Sequence, residues 1–128
     1  MGLDGGVDSE ENFYYCLEEM TQQLGEFEQI VLLAILRLGE KAYGVAIRAE
    51  IIERTERAPS PGALYVTLDR LEEKGLVTST LGDPTPQRGG RAKRYFTVTR
   101  AGAEAVRRAQ RAYRSLSEGL EILGGANA

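Results

Sequence analysis

The sequence predicts a mainly α fold carrying one small β-hairpin, class α+β, and three observations predict it. Residues 60 to 74 form an amphipathic helix pattern that stops at Gly75. Two strand-like runs follow, Leu76 to Leu81 and Arg94 to Val98, separated by a loop holding Pro84, Pro86, Gly89 and Gly90 with Arg88, Arg91 and Lys93. After them, apolar or small residues recur at alternating steps of four and three to Leu123. Helix, strand, basic glycine loop, strand is the order of a winged helix-turn-helix, a module that usually grips DNA. Here it would span 26–98, with a flexible acidic start and amphipathic helix before it (1–25) and a dimerisation helix after it (99–128).

Each element has a local cause. Residues 1–8 are glycine-rich and acidic, a composition that disfavours packing. Ser9 can cap a first helix, with Glu10 and Glu11 complementing its dipole and Phe13, Leu17, Met20 and Leu24 sharing one face. Gly25 ends it. A second helix begins near Glu26, and its apolar run Ile30 to Leu38 predicts a core helix buried on nearly every side, stopped by Gly39. Ala42-Tyr43-Gly44 is a short link with one or two strand residues. A third helix follows to Arg57, with Ile47 and Ile51 facing inward. Ser60 caps the fourth helix and Pro61 takes its first position, where a missing N–H costs nothing. Leu64, Leu68 and Leu71 form its inner face, while Gly62, Val66, Asp69, Arg70 and Glu73 lie opposite. The hairpin connection, with two prolines and two glycines, is too long for a tight turn and predicts a projecting flap. Thr99 caps a last helix that runs to Leu123.

Composition narrows the function. With 42% hydrophobic and 27% charged residues, the 128-residue chain suits one ordinary globular domain plus a helix or two. No apolar run reaches membrane-spanning length, and the start, Gly2-Leu3-Asp4, lacks the basic-then-apolar order of a secretory signal. A single cysteine, Cys16, leaves no internal disulfide framework, so a cytoplasmic location is expected. The chain has no histidine, no phosphate-binding loop of the Walker type and too few ligands for zinc, so no catalytic residue, metal or cofactor is expected.

Charge is segregated. The net charge is −3, yet residues 88–114 hold nine basic residues and one acidic residue, Glu104. A mixed solvated surface would not separate signs in this way, and phosphate attraction acts only within a Debye length of about 10 Å. Arg88, Arg91, Lys93 and Arg94 are therefore candidate phosphate contacts, beside a Gly-Gly pair that allows close backbone approach. Val66, exposed between small residues near a helix start, suits thymine methyls in a major groove, or else packs on a neighbouring element. Asp69, Glu72 and Glu73 make the same helix acidic beyond Thr67, so it would enter a groove by its N-terminal end, with its dipole favouring phosphate. The terminal seam of Gly102, Val106, Ala109, Tyr113, Leu116, Leu120 and Leu123 is too short to stand alone and must dock on its own domain, on the N-terminal seam or on a second chain. A symmetric dimer accounts for its length best, with Phe13, Leu17, Met20 and Leu24 completing the bundle.

Several stretches together resemble the PadR-like transcriptional regulators: Leu24 to Gln29, Tyr43-Gly44, Leu64 to Val77, Arg88 to Phe96, and Thr99-Arg100-Ala101-Gly102. The likeness covers residues 24 to about 120, and the Leu-Tyr helix combined with the Arg-Gly-Gly flap is its specific part. It implies a bacterial homodimeric repressor of the short C-terminal branch, with the 60–74 helix in the major groove and the flap near the minor groove. Double-stranded DNA carrying a pseudo-palindromic operator and a second copy of the chain are the implied partners, and the membrane is not one. By position it implies Tyr43, Ser60, Gly62, Tyr65, Thr67, Arg70, Arg91 and Lys93 as DNA contacts. Similar members answer to small aromatic or hydrophobic compounds. An effector of that kind would sit where the two seams meet, around Phe13, Tyr14, Leu17, Tyr113 and Leu116. The extension through Gln23 is longer than the family pattern. The alternative is a winged helix used as a protein-interaction module, its basic flap meeting an acidic partner.

Overall fold

The computed structural model describes residues 24–82 and 92–124. In chain order these are α1 (Glu26–Leu38), a 3-10 turn (Gly39–Lys41), α2 (Gly44–Arg54), α3 (Pro61–Glu73), β1 (Val77–Leu81), β2 (Arg94–Val98), α4 (Arg100–Ser117) and a second 3-10 turn (Glu121–Leu123). The seam positions Phe13, Leu17 and Met20 lie outside the described residues.

α1 begins where the sequence turns from glycine to acid. The Gly25 N–H donates to Glu28 Oε1 at 2.8 Å, satisfying one of the backbone donors that a helix start leaves open. The same carboxylate accepts two bonds from Lys74 Nζ, at 3.0 and 2.9 Å. Glu28 is only 6% exposed, so this pair is a buried tie between the start of α1 and the C-cap of α3. Both charges also complement the nearer helix dipole. The inward stripe of α1 is Val31, Leu32, Ala34 and Ile35. α1 is a core helix, as expected, but burial on nearly every side is not found: Leu33 and Leu36 are 37% and 48% exposed. With only one short hairpin and three other helices to cover it, α1 keeps an open outer face.

α2 and α3 form the helix-turn-helix. α2 ends at Arg54, three residues earlier than the sequence pattern suggested, because Thr55 adopts an extended backbone and donates both its N–H and its hydroxyl to the Ile51 carbonyl. Arg48 of α2 donates Nε–H to the Pro59 carbonyl at 2.6 Å, holding the turn that precedes α3. Ser60 caps α3 as expected, its Oγ accepting from the Ala63 N–H, with Pro61 in the first turn. Gly75, at φ +76°, supplies the left-handed residue that lets Leu76 N–H return to the Leu71 carbonyl.

β1 and β2 pair antiparallel, Val77 opposite Val98 through Leu81 opposite Arg94. The link before α2 adds a third partial strand, since the Phe96 N–H donates to the Ala42 carbonyl and Tyr43 bridges Tyr95. α4 then leaves at once. Thr99 caps it through Gly102 N–H and anchors it by donating its hydroxyl to the Gly75 carbonyl at 2.8 Å. A Cβ at Gly102 would fall on the Leu76 carbonyl oxygen, so only glycine permits this approach. α4 ends at Ser117, not Leu123: Glu118 is extended and Gly119 takes φ +81°, which places Leu120 and Leu123 on a separate turn.

The core lies where α1, α2, α3 and the hairpin converge, with Leu32, Ile35, Ile47, Ile51, Leu64, Leu68, Leu71 and Phe96 at 2% exposure or less. Val106 closes it from α4, and Leu24 and Phe27 pack on its edge. Each fully buried side chain of this size contributes roughly 1.5–3 kcal/mol. No helix among the described residues is long and apolar enough to cross a membrane.

Replacing Glu28 by Gln removes the negative charge that Lys74 meets at the buried start of α1. The variant is expected to lose about 3 kcal/mol of unfolding free energy, the lower end for a broken buried pair because Lys74 retains some exposure. Urea titration followed by circular dichroism measures it, and an unchanged midpoint would deny Glu28 this role.

Candidate nucleic-acid interface

The core leucines of α3 decide what the helix shows to solvent. With Leu64, Leu68 and Leu71 turned inward, the first two turns expose Pro61, Gly62, Ala63, Tyr65 and Val66. These turns carry no acidic side chain, and Val66 is 56% exposed, so the solvent-facing valine is a feature of the fold. Arg70 is exposed on the same helix and has no ion-pair partner among the described residues. Thr67 departs from expectation. It is 6% exposed, on the leucine face of α3.

Beside this helix stands the neck of the flap. Lys93 Nζ lies 4.3 Å from the centroid of the Tyr43 ring, and that ring meets Tyr95 edge-on at 5.6 Å. A lysine over a tyrosine face is held by the ring quadrupole while its charge stays in water. Gly82 closes the neck: its N–H donates to the Lys93 carbonyl at 2.7 Å, and a Cβ there would press on the Tyr95 ring. Arg88 and Arg91 lie outside the described residues.

The two parts touch through α2. The Tyr65 hydroxyl of α3 sits against Gly44, where a Cβ would overlap it, and Tyr43 is the preceding residue. A continuous line of contact therefore runs from the exposed side of α3, over the first turn of α2, to Lys93. Of the candidates from the sequence, Tyr43, Tyr65 and Lys93 are brought together, with Ser60, Gly62, Val66 and Arg70 along the same helix as Tyr65.

Arg94 is different. Its guanidinium bonds Glu72 at 2.6 Å, Asp69 at 3.5 Å and the Ser79 hydroxyl at 3.2 Å, and lies 4.9 Å from the Phe96 ring centroid. Expected as a phosphate contact, it instead neutralises two of the three acids of the lower half of α3. Glu72 also accepts from the Ser79 hydroxyl, so β1, β2 and α3 are tied at one point. The sequence reading missed the roles of Arg48, Glu28 and Glu72. For Glu28 and Glu72 the only sequence signal is opposite charge at distant positions, which does not identify partners, and Arg48 meets a backbone carbonyl that leaves no signal in the sequence.

The seam of α4 divides in two. Gly102 and Val106 are buried against the hairpin and α1, and Ala109 is half-buried. Tyr113, Leu116, Leu120 and Leu123 are 58%, 80%, 49% and 63% exposed. Gln29, Leu33 and Leu36 share a stripe of α1 by helical spacing, and the Gln29 amide meets the Tyr113 hydroxyl at 3.4 Å. Leu33 and Leu36 thus extend the apolar surface, a contribution hidden in the sequence by their place in a continuous apolar run.

Comparison with known proteins agrees with this geometry. The model of the transcriptional regulator PadR-like family matches residues 32–108. Transcriptional regulator Rv3488 of Mycobacterium tuberculosis is 44% identical over 68 residues, 52% of this chain and 56% of that protein, so the match spans little more than half of the relative. A PadR family transcription regulator from Clostridium difficile superposes with a TM-score of 0.61 at 24% identity, over 76% of this chain and 97% of that one. A PadR family regulator from Eggerthella lenta gives 0.59 at 21% identity, over 94% and 99%. At these identities the two structures speak to the fold, a winged helix.

Gly44→Ala should cost about 1–3 kcal/mol through the overlap with Tyr65. Combining it with Tyr65→Ala should recover most of that loss in a double-mutant cycle. Additive losses would mean that the two residues do not meet.

Proposed function

Because the chain belongs to the PadR-like family of transcriptional regulators, we propose that it acts by binding double-stranded DNA in a sequence-specific manner, as a homodimeric repressor. α3 enters the major groove of a pseudo-palindromic operator by its N-terminal turns, and the flap between β1 and β2 follows the phosphates towards the minor groove. This reading rests on the acid-free, exposed first turns of α3 standing in line with Tyr43 and Lys93. Val66 and Arg70 read base edges, Ser60 and Gly62 bring the backbone of the helix start close to phosphate, and Lys93 with Arg91 supplies charge. Arg94 supports the reading indirectly, since by pairing with Asp69 and Glu72 it lowers the repulsion that α3 would otherwise present to a polyanion.

The exposed half of the terminal seam, Tyr113 and Leu116 with Leu120 and Leu123 beyond, favours pairing with a second copy, and Leu33 and Leu36 widen that surface. Two copies then present two α3 helices to half-sites about one helical turn apart, or a multiple of it. Release by a small hydrophobic or aromatic compound bound beside Tyr113 and Leu116 belongs to the same reading. Calorimetric titration with phenolic compounds tests it, and the absence of heat removes it.

A gel-shift against genomic fragments in low and moderate salt tests DNA binding. Retention that falls steeply with salt is expected, whereas no retained fragment at any salt would favour a protein-interaction module. Arg91→Ala with Lys93→Ala should weaken binding to every sequence and flatten the plot of log K against log salt by about 2. Val66→Glu or Arg70→Ala should instead change which fragments are retained, at a cost of about 1–3 kcal/mol for the preferred site.

A further inference from the structure

We propose that an arginine stripe on α4 is a second, sequence-independent phosphate-binding surface, through which the protein holds a duplex segment separate from the one that α3 reads. α4 carries five arginines, Arg100, Arg107, Arg108, Arg111 and Arg114, against a single acid, Glu104. At 100° per residue, Arg100, Arg107, Arg111 and Arg114 fall within about 60° of one another, on the side opposite the seam of Gly102, Val106, Ala109 and Tyr113. All four are exposed, and none has an ion-pair or hydrogen-bond partner for its side chain among the described residues. A second copy seated on the seam leaves the stripe open.

The stripe belongs to the end of the fold remote from the reading turns. Ser60 and Val66 mark one end of α3, and Lys93 beside Tyr43 marks the flap end of the hairpin. α4 starts from the other end of both, where Thr99 donates its hydroxyl to the Gly75 carbonyl and Gly102 meets the Leu76 carbonyl. Further along, Tyr113 meets Gln29, whose neighbour Glu28 is bound to Lys74 at the C-cap of α3. α4 is therefore held near the last turn of α3 at both points, about 20 Å by helix rise from the turns that enter a groove. That separation assigns the stripe a duplex segment of its own.

The chemistry of the stripe favours a phosphate backbone over an acidic protein. Its neighbours on the same face are Ala103, Glu104 and Gln110, so it offers no aromatic or large aliphatic anchor of the kind from which protein interfaces draw most of their affinity. B-DNA needs no anchor. One charge per roughly 1.7 Å of duplex axis attracts exposed guanidinium groups whatever the shape of the surface that carries them. Arginine forks also bond phosphate oxygens bidentately. From Arg100 to Arg114 the stripe runs about 21 Å, long enough to follow a backbone. Such contacts touch no base edge, so they hold DNA without regard to sequence and weaken steeply with salt. Binding at the stripe does not depend on α3, whereas the bridging of two duplexes rests on the DNA reading proposed above.

The test uses the full-length chain with its reading face disabled by Val66→Glu, Arg91→Ala and Lys93→Ala. Fluorescence anisotropy should still show salt-dependent binding to a short random-sequence duplex. Adding Arg107→Gln, Arg111→Gln and Arg114→Gln should lower that affinity about tenfold or more and flatten the plot of log K against log salt by about 2 to 3. Arg→Lys at the same three positions should restore the slope. No binding before the stripe is changed, or affinity unmoved by changing it, would overturn the proposal. So would stripe-dependent binding to poly-glutamate with none to duplex, which would assign the stripe to an acidic protein. Bridging is read on beads: wild-type protein held by a tethered genomic fragment should recruit a labelled random duplex, while the triply substituted stripe stays on the fragment and recruits none. Equal recruitment would overturn the bridging. If no genomic fragment is retained, the reading by α3 fails, and the anisotropy measurement still decides the stripe. The three arginines are exposed, so their substitution leaves the core intact.

Discussion

A buried carboxylate at the start of α1 is the constraint on which the placement of the reading helix depends. Glu28 accepts from the Gly25 N–H and from Lys74, and so fixes the first turn of α1 to the last turn of α3. Removal of a carboxylate from water is unfavourable unless its lone pairs are filled, and here three donor contacts fill them. The leucine core by itself would tolerate some rotation of α3 about its axis, because apolar contact is non-directional. The ion pair removes that freedom at one end. At the other, Arg48 holds the Pro59 carbonyl and Ser60 caps the helix. Between these two fixed ends, the side on which Val66 and Arg70 stand is set.

Basic residues in this chain divide by the partner they find. Arg94 and Lys74 are engaged by acids of α3 and α1, Arg54 and Arg37 meet Glu50, and Arg57 meets Glu26. Lys93 is exposed and holds its ammonium over the Tyr43 ring, with no acid as partner among the described residues. The arginines of α4 stay unpaired among the described residues. A count of positive charge along residues 88–114 treats these groups alike, although only some remain available to an outside polyanion. Arg94, central to that cluster, is an internal counter-ion.

Glycine has two distinct uses here. At Gly75 the backbone needs a positive φ to turn from α3 into β1. At Gly44 and Gly102 the dihedral is ordinary and the need is for space, for the Tyr65 hydroxyl in one case and the Leu76 carbonyl in the other. The first use shows in the sequence as a glycine after a helical pattern. The second does not, since the neighbour that requires it lies 21 or 26 positions away in the chain.

The sequence by itself determined the winged-helix order, the inner face of α3, its Ser60 cap and the two strand runs that flank the flap, because each follows from local periodicity, capping chemistry or turn residues. It also carried the family likeness, through the Leu-Tyr helix and the Arg-Gly-Gly flap. Tertiary structure alone decided which charges pair, that Thr67 is covered and that α1 keeps an open side at Leu33 and Leu36. It decided as well that α4 stops at Ser117, where the backbone turns at Gly119 although the apolar spacing continues to Leu123. The physical reason is the same in each case. Burial and ion pairing depend on which distant element arrives next to a residue, and helical spacing records only a residue's own face.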